Sequence, residues 1–235
     1  MKTMSLVLLP GLDGTGKLFA SLIGSLPAWI TPVVVSYPTD EKCDYQDLSA
    51  RVAQSLPADT DFVILGESFA GPLAVMAAAQ KPSGLRGIIL CASFVKNPFK
   101  FIPSWARLLS VGAVYQLWPA TIRIRARLRG PQYKDLANAA LDAIKTVSPD
   151  VIAQRVKCIL TVNVEQTLIA TNVPILYLAG RKDWLIRKHN ASDIKAVKPE
   201  LRVTEIDTQH FVLQLEPEKS AAEIERFMLS VERAA

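Results

Sequence analysis

The chain has 235 residues, with 27 Lys and Arg against 22 Asp and Glu, a formal net charge of +5 at pH 7. Half of it is hydrophobic and 21% is charged. That is the balance of a chain that buries roughly 70–75% of its unfolded surface, and it excludes disordered, collagen-like and disulfide-stapled classes. Cys43, Cys91 and Cys158 are odd in number and widely spaced, and they read as reduced thiols of a cytoplasmic protein.

The first predicted element is a short apolar strand at 5–9, followed by Pro10-Gly11-Leu12-Asp13-Gly14-Thr15-Gly16 and a helical pattern over 17–25. The five-residue run before Pro10 is too short for a signal peptide, and no segment reaches the length of a membrane span. Gly11 to Lys17 also match G-x-x-x-x-G-K between a strand and a helix, the setting of a phosphate-binding loop. The next residue should then be Ser or Thr, to ligate Mg²⁺. Leu18 stands there, and no predicted strand ends in a metal-binding aspartate.

A strand at 33–37 and a helix at 45–56 come next, then the run Phe62-Val63-Ile64-Leu65-Gly66-Glu67-Ser68-Phe69-Ala70-Gly71. Its β-branched first half suits a buried strand over 62–66, and strong helix formers follow over 69–80. A serine at the apex of a strand–turn–helix, flanked by small residues, is the arrangement of a nucleophile elbow. The alternative is a serine N-cap on an ordinary helix. The G-x-S-x-G pattern is met except in its last place, where Ala70 precedes Gly71.

Beyond a strand at 86–92, in which Cys91 reads as core, alternation stops between 94 and 165. This interval reads as helices, one of them opening at Ser104-Trp105. Residues 108–122 carry no charge, and they suit either the apolar wall of an acyl pocket or ordinary packing. The interval holds 11 Lys and Arg against 4 Asp and Glu, a net +7 that leaves −2 for the rest of the chain. Arg123, Arg125, Arg127 and Arg129 alternate within it. Such a surface is either a solvated face or a docking surface for something anionic. No aromatic–basic motif accompanies it, so nucleic acid is not expected.

The chain then returns to alternation: a strand at 173–179, a helix at 187–196, a strand at 202–206 and an amphipathic helix at 218–232 with Ala221, Ile224, Phe227, Met228 and Val231 on one face. A nucleophilic serine needs a base, and there are two histidines. His210 follows the last strand, whereas His189 sits in a polar stretch. Asp183, after the 173–179 strand, is the candidate acid, with Asp207 as its competitor.

The order Ser68, Asp183, His210, with Pro10-Gly11 after the first strand, resembles the α/β hydrolases of the serine esterase and lipase superfamily. Pro10-Gly11 departs from the more common His-Gly, and Ala70 departs from the elbow pattern. The resemblance implies a mostly parallel sheet of about six strands flanked by helices, with a helical cap inserted after the fourth strand. The core would be 1–93 and 166–235, and the lid 94–165. It also implies a Ser68–His210–Asp183 triad, an oxyanion hole from the Leu12 and Phe69 N–H groups, and neither cofactor nor metal.

The activity implied is hydrolysis of short- to medium-chain carboxylic esters through an acyl-serine. A thioesterase would share every catalytic residue. The basic lid resembles, in architecture and charge, that of carboxylesterases acting on pimeloyl-carrier methyl ester, so an acidic acyl carrier is a candidate partner, beside a coenzyme A thioester or an anionic membrane surface. Haloalkane dehalogenase chemistry would need aspartate at 68. A non-catalytic binding protein is the remaining alternative.

Overall fold

The computed structural model describes residues 3–99 and 131–232. The apolar runs form one sheet from β1 (Met4–Leu9), β2 (Ile30–Val34), β3 (Phe62–Glu67), β4 (Leu85–Cys91), β5 (Ile175–Gly180) and β6 (Arg202–Ile206). The strand order is β2-β1-β3-β4-β5-β6, and every neighbouring pair is parallel. Parallel pairing requires a crossover between consecutive strands, and the crossovers cover both faces of the sheet. This is why β1 and β3 are buried along their whole length rather than on alternate residues.

The described helices are α1 (Ala20–Ser25), α2 (Tyr45–Gln54), α3 (Gly71–Ala79), α4 (Pro131–Lys145), α5 (Pro149–Thr161), α6 (Glu165–Ile169), α7 (His189–Val197), α8 (Val212–Leu215) and α9 (Pro217–Glu232). One core layer joins Val7, Leu9, Ile64 and Ile88 to Leu48 and Val52 of α2 and Leu73 of α3. The other joins Leu6, Leu8, Val63 and Ile89 to Leu22 of α1 and Ile224, Phe227 and Met228 of α9. Alternate strand residues therefore feed opposite layers, and each fully buried side chain stabilises the fold by about 1.5–3 kcal/mol.

The largest displacement from the predicted elements is β2, expected at 33–37 and found at Ile30–Val34. The β-branched run at 33–35 biases the prediction forward. The strand instead contains Pro32, which is accommodated because β2 is an edge strand paired only with β1.

The interval after β4 contributes α4 and α5, with one isolated bridge between Lys96 and Asn163. Its base is tied down by Asn97 N–H to the Val162 carbonyl (3.0 Å), Val164 N–H to the Val95 carbonyl (2.7 Å) and Lys96 to Glu165 (2.8 Å). Val147, Val151 and Ile152 form a small core there, and Leu12 packs against it. The Ser104-Trp105 helix start, the 108–122 apolar wall and the 123–129 arginine series lie outside the described residues. No helix among the described residues is long and apolar enough to cross a membrane.

The chain runs from β1 outward to β2 and then back to β3 on the other side of β1. The loops leaving β1 and β3 thus lie side by side at the switch point, where open α/β sheets form a crevice at the carboxyl ends of their strands.

Candidate active site

Strand β3 ends at Glu67, and the chain turns through a single 3₁₀ turn, Ser68–Ala70, into α3. Ser68 sits at φ 50°, a left-handed conformation that an L side chain adopts only when the surroundings enforce it. Those surroundings are close-packed. A Cβ on Gly66 would lie 2.5 Å from the Ala70 carbonyl oxygen, and a Cβ on Gly71 would fall onto the Ser93 hydroxyl. Ala70 itself has φ −85° and ψ −3°, ordinary helical values that alanine adopts freely. The missing glycine of the motif is therefore not needed at 70, and the steric requirement falls on Gly71.

The turn presents the Ser68 Oγ to His210 Nε2 at 3.0 Å. His210 lies beyond β6, and its Nδ1 is 2.9 Å from Asp183 Oδ2, in the loop beyond β5. The other Asp183 oxygen accepts N–H groups of Leu185 (2.8 Å) and Ile186 (2.9 Å), which fixes the carboxylate. The side chains of Asp183 and His210 are 3% and 11% exposed.

Burial opposes charging His210, but the Asp183 carboxylate, by charge and hydrogen bond, and the nearby Glu67 outweigh it. The imidazole is held above its ordinary value. Glu67 is also buried, and burial pushes its carboxyl up to about 7, against a hydrogen bond from Gln214 Nε2 (2.8 Å) and the charge of His210, which both lower it.

The competing residues lie elsewhere. His189 begins α7 with its Nε2 3.0 Å from the Pro98 carbonyl. Asp207 is at the surface between Arg181 and Lys182, whose hydrogen bonds hold its carboxyl below the usual range. All three cysteines are free and buried, and Cys91 is in the sheet. No group of three or more His, Cys, Asp or Glu among the described residues is placed to hold a metal ion.

The two expected oxyanion donors flank Ser68. Phe69 N–H lies in the first turn after β3, where helical N–H groups have no acceptor within the helix. It belongs to the Ser68–Phe69 peptide, whose carbonyl accepts the hydroxyl of Ser93. The Tyr45 hydroxyl donates to the Phe69 carbonyl (2.8 Å), and its ring stacks on Phe69 at 4.8 Å.

Leu12 N–H belongs to the Gly11–Leu12 peptide. A Cβ on Gly11 would be 3.8 Å from the Ser68 Cβ, so this peptide borders the serine. Gly14 N–H bonds to the Gly11 carbonyl at 3.0 Å, closing a turn over Leu12 and Asp13. The same loop weighs against the nucleotide-binding alternative. The Asp13 carboxylate accepts both Thr15 N–H and its hydroxyl, and Lys17 N–H bonds to Thr15 Oγ1, so two of the amides a phosphate would need are already engaged, one of them by a carboxylate.

Sequence reasoning missed Ser93, Glu67 with Gln214, and Arg155. In the sequence Arg155 is one of the basic residues of the cap, but it is 2% exposed. Its Nη1 donates to the carbonyls of Leu12 (2.9 Å) and Asp13 (2.8 Å), and its Nη2 to that of Pro38 (2.8 Å). The signal was present in α5: Val151, Ile152, Cys158 and Ile159 are buried, and Arg155 falls on the same helical stripe. Ser93, a small residue after a strand, offered none.

A search of curated proteins by sequence found no match. The chain is similar in fold to a hydrolase from Oleispira antarctica, olei00960 (TM-score 0.80, 14% identity, 97% of this chain and 91% of that one). It is also similar to an esterase from Exiguobacterium antarcticum, EaEST (TM-score 0.77, 17% identity, 98% and 92%). A third similar structure is a putative aryl esterase from Burkholderia cenocepacia (TM-score 0.74, 18% identity, 99% and 91%). At these identities the likeness concerns the fold. The family described as serine aminopeptidase, S33, matches residues 39–209, which include Ser68 and Asp183 and end one residue before His210. The chain belongs to this S33 family and is a serine hydrolase of the α/β-hydrolase fold.

Proposed function

We propose that the protein hydrolyses carboxylic esters, of short to medium acyl chain, through an acyl-serine intermediate. The observation that carries this reading is the continuous hydrogen-bonded series from Ser68 Oγ through His210 to Asp183 at an elbow bordered by Gly11. His210 Nε2 takes the Ser68 proton as Oγ attacks the ester carbonyl. The Leu12 and Phe69 N–H groups stabilise the developing oxyanion. The imidazolium, oriented by Asp183, then protonates the leaving alcohol, and neutral His210 activates water to release the acid.

The same residues serve a thioester, so thioester hydrolysis belongs to the same proposal, with an acidic acyl carrier as the partner that the basic residues between 94 and 165 favour. Within that interval, Arg155 is buried, and Lys96 and Lys145 are paired with Glu165 and Asp142, so a docking surface would draw on the others.

The test is hydrolysis of p-nitrophenyl acetate, butyrate, octanoate and palmitate beside an aminoacyl p-nitroanilide, with wild type and Ser68→Ala. Ester turnover that Ser68→Ala lowers by about 10⁶-fold is expected. Turnover of the anilide alone would move the protein to amide cleavage. Full activity in Ser68→Ala would remove Ser68 from the mechanism.

A further inference from the structure

Arg155 is the observation that the reaction scheme leaves unused. It is a buried cation in α5, and among the described residues its hydrogen bonds run to three carbonyl oxygens rather than to a carboxylate. Two of these are consecutive, Leu12 and Asp13, and both bond to the same Nη1. Two successive carbonyls held on one cation fix two successive peptide planes, because each peptide is rigid. The third carbonyl, Pro38, belongs to the loop after β2. Tyr37 of that loop donates its N–H to the Gly14 carbonyl at 2.8 Å and lies under the guanidinium at 5.6 Å.

The loop is shaped around this side chain. Gly14 has φ +69°, and a Cβ there would lie 2.6 Å from Arg155 Nη1 and 2.8 Å from the Tyr37 ring. Gly14 also closes the turn on the Gly11 carbonyl, whose peptide carries the Leu12 N–H. The line of fixation therefore runs from the α5 guanidinium, through the carbonyls of Leu12 and Asp13, to the peptide beside Ser68.

We propose that Arg155 is a positioning residue for the oxyanion hole, holding the Leu12 N–H in place from the inserted helices, so that the packing of the insertion sets the strength of one of the two donors. The inference rests on the serine-hydrolase reading with Leu12 as a donor. Loss of one such donor costs about 10²–10³ in kcat, and displacement by about 1 Å can cost about 10².

The test compares wild type, Arg155→Met and Arg155→Lys, each titrated with a fluorophosphonate so that rates are counted per reactive serine. It then measures kcat, KM and the affinity of an alkyl trifluoromethyl ketone, whose serine adduct carries an oxyanion. Arg155→Met is expected to lower kcat per titrated site about 10²-fold, with KM changed less than about threefold, and to weaken the ketone by a similar factor. Arg155→Lys, which keeps the charge but cannot span three carbonyls, should fall between.

A role confined to folding would lower the titratable fraction and leave kcat per site and ketone affinity unchanged, and that result overturns the inference. Should Arg155→Met not fold, the same comparison on Arg155→Lys decides. Wild type that the fluorophosphonate does not label at Ser68 would overturn the serine-hydrolase reading itself, and the inference with it.

Discussion

The two loops that flank the Ser68 hydroxyl are held by different means. The elbow takes its shape from the sheet and the helix it feeds. Gly66 and Gly71 admit the close turn, Ser93 just beyond β4 fixes the Ser68 carbonyl, and the hydroxyl of Tyr177 on β5 fixes the Ser93 carbonyl at 2.7 Å. Ser93 is fully buried and Tyr177 nearly so. The loop at 10–16 has an internal turn and the Asp13–Thr15 bonds, but its outward carbonyls are gathered by one guanidinium from α5, more than 100 residues away in sequence. One candidate donor thus inherits its rigidity from the core. The other depends on how the insertion packs. Preorganised donors are worth most when they need not reorganise during reaction, so the two sides should respond differently to perturbation.

Beyond the loss of Ser68 itself, the largest expected effect falls on what both loops share. Asp183→Asn should lower kcat about 10⁴-fold, because His210 loses the acceptor that sets its tautomer. Asp207→Asn, at an exposed surface pair, should leave kcat within about threefold. Measuring both variants on one ester separates the two acids, and the reverse pattern would break the assignment.

Next is Gly71→Ala, which perturbs the elbow alone. The added methyl meets Ser93, so something must shift. A stability loss of about 1–3 kcal/mol is expected from a melting curve, with kcat per titrated serine falling as well. If the elbow draws on the core, stability and rate should fall together here. The Arg155 variants should instead lose rate per site beyond any loss of fold.

The smallest effect is a shift in pH dependence. His210 must be neutral to accept the Ser68 proton, so kcat/KM should rise with pH along a limb above the ordinary histidine value, here 6.5. Glu67→Gln removes one of the charges that raise His210, and the limb should move to lower pH. An unshifted limb would exclude electrostatic coupling between the elbow and the base.

The stability consequence of Glu67 has a definite sign. Its folded carboxyl is harder to ionise than its unfolded one, so the associated stability is full below the unfolded value of 4.5 and is lost as pH rises through about 7. Glu67→Gln should therefore raise Tm near about pH 8 relative to wild type and change it little near about pH 4.

Much of this was legible in the chain. The parallel alternation followed from apolar runs separated by helical patterns, and strands such as 202–206 were found at the residues expected. The residues now hydrogen-bonded around His210 were identified from loop position and chain order, because the topology brings the ends of parallel strands to one edge whatever the sequence between them. The β2 boundary was not legible, since tolerance of Pro32 depends on which strand lies at the sheet's edge. In the sequence Gly71 reads as a displaced motif glycine, but its role is set by Ser93, a contact across 22 positions.

The sequence by itself determined the strand–helix alternation, the sharp turn at Ser68 and the identity of the base and acid candidates. Each follows from local periodicity, local sterics or the scarcity of a residue type. Only the tertiary structure decided what Arg155 does. In the sequence it is one of 11 basic residues between 94 and 165. In the fold it is a buried cation shared by three carbonyls, two of them in the loop that borders the nucleophile. A charge acquires its role from the groups that replace its water, and those groups come from parts of the chain that only folding brings together.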